Sequence, residues 1–362
     1  MDRVFNFNPG PSTLPVSVLE EAAKDLVNYK GSGMSIMEHS HRGKEYEAAH
    51  NEAISLIKEL YKVPENFDVL FLQGGASLQF AMIPMCLLRD GKKALYVNTG
   101  TWSQKAIKEA KILGKKFDII ATSEPDNFNN IPAIPAIKND GEIDYVYITS
   151  NNTIFGTEFH KLPETNGIPL IIDASSDIFS APIDWKNIGV LFAGAQKNAG
   201  PSGVAVVIIR KDLYDREPAN VPSMLRYTTH AKENSLYNTP PTFSIYVIGL
   251  VMKWIKSLGG IDAMYTINKE KAKMVYDAID NSNGFYKGHA VKESRSLMNI
   301  TFTLPKPELD DKFVSEAKAL GLYGLKGHRS VGGMRASTYN AMPVEGCKVL
   351  SEFMKKFAAD NK

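Results

Sequence analysis

Between Asp68 and Arg210 the chain alternates short apolar runs with longer mixed segments. The runs are Val69-Leu70-Phe71-Leu72, Ala94-Leu95-Tyr96-Val97, Phe117-Asp118-Ile119-Ile120, Tyr145-Val146-Tyr147-Ile148, Pro169-Leu170-Ile171-Ile172, Val190-Leu191-Phe192-Ala193 and Val204-Ala205-Val206-Val207-Ile208-Ile209. A strand with one wet face alternates apolar and polar residues; continuous runs of this length predict strands buried on both faces. Their separation by helical or loop segments predicts a mostly parallel sheet covered by helices, an α/β domain. The segment after Ser77 reads as an amphipathic helix. Beyond Pro240-Pro241 the pattern turns helical, from Thr242 to about Leu258 and, after Gly259-Gly260, on to about Ile279. We place a boundary near Gly259. The remainder predicts a strand at Leu297 to Phe302, a helix at about Asp310 to Leu320, a glycine-rich hairpin from Gly321 to Met334 and a closing helix after Pro343. Asn127 to Ala136 reads as a loop.

Composition narrows the class. The 362 residues are 44% hydrophobic and 23% charged, an ordinary globular balance able to bury a large core. Lys plus Arg exceeds Asp plus Glu by only 42 − 40 = 2, so no global charge points to nucleic acid or an anionic membrane, and any anion affinity must be local. Two cysteines, Cys86 and Cys347, are too few for a disulfide framework and lack zinc or redox spacing. The opening Met1-Asp2-Arg3-Val4-Phe5 has neither secretory nor transit character, and no apolar stretch reaches the ~20 residues of a membrane helix. The expectation is a cytoplasmic protein.

Ligands in open parallel sheets bind outside the carboxyl ends of the strands, so the residues after each run carry the candidate chemistry. The first run leads into Gln73-Gly74-Gly75-Ala76-Ser77. Small residues with free N–H groups at a helix N-terminus suit a phosphate, although the same residues also serve a simple turn and cap. The motif is neither GxGxxG nor a Walker loop. The fifth run ends at Asp173, a carboxylate whose apolar neighbours predict burial; it either caps a turn or needs a cationic or hydrogen-bonding partner. The sixth leads to Gln196-Lys197-Asn198. Taken together, a phosphate cradle, a buried acid and a lysine at successive strand ends are the contacts pyridoxal phosphate requires. Trp102, just after the Tyr96-Val97 strand, offers either an aromatic face for the cofactor ring or core packing.

With these features the sequence resembles the phosphoserine aminotransferases, a family in the class V group of fold-type-I pyridoxal-phosphate enzymes, over essentially its whole length. The segments that carry the likeness are Asn6-Phe7-Asn8-Pro9-Gly10-Pro11, Met37-Glu38-His39-Ser40-His41-Arg42-Gly43-Lys44, Gly74-Gly75-Ala76-Ser77-Leu78-Gln79-Phe80, Asp173-Ala174-Ser175-Ser176-Asp177, Ala195-Gln196-Lys197-Asn198, Tyr237-Asn238-Thr239-Pro240 and the stretch from Lys326 to Ser337. The resemblance implies a large α/β domain with a mostly parallel seven-stranded sheet over residues 16–258, and a small α+β domain from 1–15 with 259–362. It implies that Lys197 bonds the cofactor covalently, Asp173 pairs with the ring nitrogen, Trp102 stacks on the ring and Thr153 bonds its hydroxyl region. Ala76, Ser77 and Gln196 would hold the cofactor phosphate, with Asn238 and Thr239 arriving from the neighbouring subunit of a homodimer. Pro9 stands where the family often has Ser or Ala, so contact to substrate there falls to the backbone.

Two cationic dipeptides, His41-Arg42 and His328-Arg329, lie far apart in sequence, each close to glycine. Arginine presents a planar fork to carboxylate or phosphate, and histidine adds a donor whose charge responds to a dianion. In the resembled family these positions bind the substrate phosphate, and Arg335 grips the α-carboxylate. The implied reaction moves an amino group between L-glutamate and 3-phosphohydroxypyruvate, giving O-phospho-L-serine and 2-oxoglutarate by a ping-pong route. A related oxo acid of the pyridoxine pathway, 3-hydroxy-2-oxo-4-phosphobutanoate, is a substrate of some relatives. His39 and His41 lack a third ligand, so no metal site is expected. The alternatives are a class V aminotransferase of alanine–glyoxylate type, which needs no doubled His-Arg, a cysteine desulfurase, which needs a cysteine on a mobile loop, and a non-catalytic phosphate-ligand binder.

Overall fold

All seven apolar runs become strands of one sheet. The computed structural model describes residues 3–361. The chain opens with β1 (Phe5–Asn6), α1 (Val16–Asp25) and α2 (Lys44–Leu60). The sheet and its crossovers follow: β2 (Phe67–Leu72), α3 (Gly75–Leu87), β3 (Lys93–Asn98), α4 (Thr101–Ile112), β4 (Lys116–Thr122), β5 (Ile143–Thr149), β6 (Leu170–Asp173), β7 (Ile188–Gly194) and β8 (Ala205–Arg210). Then come α5 (Tyr227–Lys232), α6 (Thr242–Ser257), α7 (Gly260–Asp280), β9 (Lys287–Gly288), β10 (Asn299–Thr303) and α8 (Glu308–Ala319). The chain closes with β11 (Leu322–Tyr323), β12 (Met334–Ser337) and α9 (Val344–Asp360).

The sheet order is β2-β8-β7-β6-β5-β3-β4. Only β8 runs antiparallel to its neighbours β2 and β7; every other pairing is parallel, so the carboxyl ends of β3, β5, β6 and β7 open on one edge. Residues 170–173 and 188–194 are buried throughout, as continuous apolar runs require. One run departs from expectation. β4 ends the sheet, and Ile119 is 47% exposed, because an outermost strand has a neighbour on one side only. The helix after Ser77 also departs: α3 is not amphipathic, and Gln79, Phe80, Met82, Ile83, Pro84, Cys86 and Leu87 are all buried, wrapped between the sheet and α4. A helix covered all round carries no polar stripe.

The smaller C-terminal layer pairs β12, β10 and β9 in an antiparallel sheet. The expected hairpin from Gly321 to Met334 does not form as one unit. Leu322 and Tyr323 pair in parallel with Phe5 and Asn6, and only an isolated Lys326↔Met334 bridge closes the loop 327–333. A distant N-terminal strand thus takes the edge that a local hairpin partner would have filled. Phe7, fully buried, sits in an apolar cluster with Val275, Phe302, Phe313, Leu350 and Phe357, separate from the clusters on the two faces of the large sheet. Burying such a ring stabilises by about 2–3 kcal/mol and anchors the segment that carries Pro9 and Gly10. Helix α7 spans both regions: Ile261 and Met264 join the large-sheet core, and Ala272, Val275, Ala278 and Ile279 join the cluster around Phe7.

Candidate active site

Two neighbouring parallel strands deliver the central pair. Asp173 is the last residue of β6, opposite Phe192 of β7, and Lys197 lies three residues past the end of β7, so the shared direction of the strands brings both to one edge. Asp173 Oδ1 accepts the Ser175 N–H at 3.0 Å. Burial pushes this carboxyl above its ordinary value, while Ser175 and the lysine charge pull it back. Lys197 is buried, and its Nζ donates to Thr153 Oγ1 at 2.6 Å. Desolvation brings its pKa down to about 8; Asp173 resists that shift, and the charge of Arg335 adds to it. At pH 7 a pKa near 8 leaves roughly a tenth of the amine neutral, against about 0.04% for an unperturbed lysine.

These side chains share a cavity of about 310 Å³ with Ala76, Ser77, Trp102, Gln196, His328 and Arg335. At its floor α3 begins after Gly74, whose φ of +83° places it in the left-handed region where glycine is favoured. Among the described residues the N–H groups of Ala76 and Ser77 find no acceptor, leaving donors aimed at an anion from a helix N-terminus. The Trp102 ring centroid lies 5.7 Å from Lys197 Nζ, and its Nε1, though buried, finds no partner among the described residues. Gly10, at φ +136°, packs on the lysine: a Cβ there would sit 3.2 Å from Lys197 Cγ and 3.3 Å from Cε. N–H donors at a helix start, a buried carboxylate, an amine of lowered pKa and an aromatic face form a donor set that fits pyridoxal phosphate.

A second cationic side chain lines the cavity, bonded like Lys197 to Thr153. Arg335, on β12 opposite Thr301, is 6% exposed. Its Nη1 donates to the Thr153 carbonyl at 3.1 Å and its Nε has no acceptor among the described residues. No carboxylate there lies within ion-pair distance of it. Burial pushes its pKa below the usual guanidinium value. His328 joins from the 327–333 loop, its Nδ1 2.7 Å from Ser330 Oγ; burial first, then the charges of Arg335, Arg329 and Lys105, lower its pKa. A larger cavity of about 460 Å³ surrounds Glu158, His160 and Asp177, and none of the residues nominated from the sequence lines it.

The aminotransferase class-V family model matches residues 4–350. The chain is 58% identical over 355 residues to the phosphoserine aminotransferase of Lysinibacillus sphaericus, covering 98% of each chain. The chain belongs to the phosphoserine aminotransferase family. Among solved structures, the family's member from Bacillus circulans subsp. alkalophilus superposes with a TM-score of 0.97 at 50% identity, covering 100% of both chains. The pyridoxal-phosphate-bound phosphoserine aminotransferase of Trichomonas vaginalis gives 0.92 at 43% identity, covering 98% of this chain and 100% of its own.

Not every residue named from this family resemblance reaches the cavity. His41, Arg42, Asn238, Thr239 and Arg329 do not line it. Instead His41 Nδ1 and Thr239 Oγ1 lie 3.4 Å apart, and Asn238 Nδ2 donates to Gln73 Oε1 at 3.2 Å. His41 Nε2 and Asn238 Oδ1 are buried without partners among the described residues. Sequence reasoning missed Gly10, Asn151 and Ser176 as wall residues. Asn151 follows β5, and the strand-end rule applied to that strand would have found it; Asn151 Nδ2 donates to Ser176 Oγ and to Asn299 Oδ1, both at 2.8 Å. Gly10 carries no local signal, because it meets Lys197 only through the fold: Ser12 Oγ donates to the Lys197 carbonyl at 2.6 Å across 185 positions.

Proposed function

We propose that this chain transfers an amino group between L-glutamate and 3-phosphohydroxypyruvate, giving O-phospho-L-serine and 2-oxoglutarate in two half-reactions, with pyridoxal phosphate as cofactor. The observation that carries the proposal is Lys197, buried with a lowered pKa beside Asp173 in a cavity that Arg335, without a carboxylate partner among the described residues, also lines. Bound pyridoxal phosphate supplies an electron sink for the carbanion formed at the substrate α-carbon. Lys197 would hold the cofactor, Asp173 would keep a proton on its ring nitrogen, and Trp102 would cover its ring. Thr153 would bond the ring hydroxyl region. The Ala76 and Ser77 N–H groups with Gln196 would hold the phosphate. The Lys197 Nζ, when not bonded to the cofactor, would be the base that moves the α-proton, a role suited to an amine whose pKa lies near 8.

Arg335 would bind the α-carboxylate common to both substrates, and His328 and Arg329 with His41 and Arg42 the distal carboxylate or phosphate. The 3.4 Å contact between His41 and Thr239 ties two of these segments together, so in a homodimer whose Asn238 and Thr239 reach the partner's cofactor phosphate, His41-Arg42 arrives on the same surface. We also take residues 16–258 as the cofactor-binding domain and 1–15 with 259–362 as the small domain; positions 1, 2 and 362 lie outside the described residues. The separate cluster around Phe7 supports that division. Among the described residues no single helix is long and apolar enough to cross a membrane. We take the chain as a cytoplasmic enzyme of small-molecule substrates. Mixing the coloured protein with candidate amino acids tests the assignment: glutamate and phosphoserine should each bleach the visible cofactor band, and alanine alone doing so would refute it.

A further inference from the structure

Lys271, in the middle of α7, is 0% exposed and forms no ion pair among the described residues. Its Nζ donates to the carbonyl oxygens of Tyr339 at 2.7 Å, Asn340 at 3.3 Å and Met342 at 3.2 Å. The titratable group acting on it is Cys347, whose own pKa burial pushes up to about 12, so it stays an uncharged thiol. A buried ammonium is tolerated when all three N–H bonds find acceptors, and here the 339–342 turn closes around it much as carbonyls close around a small cation. An apolar side chain at this position would leave those three carbonyls without their donor, which directs attention to what the turn holds in place.

Two short routes lead from that turn to Lys197. On the first, the Asn340 N–H donates to Asn198 Oδ1 at 2.9 Å, one residue past the lysine. On the second, Tyr339 Oη donates to the Pro9 carbonyl at 2.7 Å, and the adjoining Gly10 lies against the Lys197 methylenes. The Asn340 side chain fixes the turn to the large domain, donating to the Phe179 carbonyl at 3.0 Å and accepting from Asn268 Nδ2 at 2.8 Å. Asn268 also donates to the Ser180 carbonyl at 3.1 Å.

We infer that Lys271 is a positioning residue for Lys197: its ammonium shapes the 339–342 turn, and through Asn198 on one side and Pro9-Gly10 on the other it sets where the reactive amine sits. The inference rests on the reading of Lys197 as the cofactor lysine. Displacing a reacting group by about 1 Å costs up to roughly 100-fold in rate, so Lys271→Met should lower kcat by roughly 10- to 100-fold while KM stays within about threefold.

The test uses the holoenzyme. Borohydride reduction and peptide mass mapping of the wild type first establish which lysine holds the cofactor. Then kcat, KM and the midpoint pH of the visible lysine–cofactor band are measured for Lys271→Met, Tyr339→Phe and Asn198→Ala. We expect the midpoint to move in Lys271→Met and to move part of the way in each of the other two. A Lys271→Met protein that melts earlier but keeps wild-type kcat and band midpoint has lost stability alone, and that result overturns the inference. Should Lys271→Met fail to fold, wild-type kcat and midpoint in both Tyr339→Phe and Asn198→Ala overturn it equally. A label on another lysine in the wild type refutes the reading of Lys197 instead, so the two failures are distinguishable.

Discussion

Arg335→Leu separates binding from stability more cleanly than any other change in the site. The side chain is buried, donates one hydrogen bond to the Thr153 carbonyl at 3.1 Å and has no carboxylate partner among the described residues, so its charge is uncompensated until an anion arrives. Leucine keeps the apolar volume and removes the cation. Losing a charge-assisted contact to the substrate α-carboxylate costs about 2–3 kcal/mol, or roughly 30- to 150-fold in kcat/KM at about 1.4 kcal/mol per decade. Both substrates carry that carboxylate, so stopped-flow half-reactions with L-glutamate and O-phospho-L-serine should slow by the same factor. Stability moves little. Removing an unpaired buried cation relieves its desolvation cost, while the orphaned Thr153 carbonyl gives back about 1 kcal/mol, and for a chain of this length 1 kcal/mol corresponds to little more than about 1 °C in Tm. The loss of the Arg335 charge also raises the Lys197 pKa, because that charge contributes to lowering it. Two results would refute the reasoning: kcat/KM within about threefold of wild type for both substrates, or a loss confined to phosphoserine, which would make Arg335 a distal-anion residue.

Four further outcomes follow from the same geometry. Lys197→Ala should lose turnover and the borohydride-fixable cofactor, and mass mapping to a different lysine would contradict the assignment. Asp173→Asn removes the charge proposed to keep the ring nitrogen protonated and should lower kcat more than it lowers Tm, which single-turnover proton transfer checks directly. Arg42→Ala and Arg329→Ala should each penalise phosphoserine more than glutamate, since a dianion gains more from fixed cations than a single charge does; equal losses in the two half-reactions would sink that role. Mixing Lys197→Ala with Thr239→Ala subunits should restore cofactor affinity at those sites where an intact lysine meets an intact partner loop, whereas a monomer in light scattering rules the shared site out.

Much of the frame was legible in the sequence because it depends on local signals. Seven apolar runs announced seven strands, and the strand-end rule picked out Ala76-Ser77, Asp173 and Lys197, which line one cavity. Burial on both faces leaves its mark residue by residue, and the end of a parallel strand faces the ligand edge wherever the strand lies in the sheet. Those are properties of a few consecutive residues.

What the sequence left open depends on which distant segment comes to lie alongside. The Phe117 to Ile120 run reads like its siblings, yet β4 is an edge strand with Ile119 exposed, because apolar content does not encode a strand's rank in the sheet. The stretch after Gly321 looks like a self-contained hairpin, but its strand pairs with Phe5–Asn6 at the other end of the chain. Arg335 carries no sign in the sequence that it will be buried without a carboxylate, nor Lys271 that three carbonyls will enclose it. The contact of Gly10 with Lys197 likewise exists only after the N-terminal segment has folded back across the sheet. Residue type and spacing determined which groups stand at the strand ends; tertiary packing decided how far each is removed from water and which charges face it, and those two quantities set the pKa of the lysine and the readiness of the arginine.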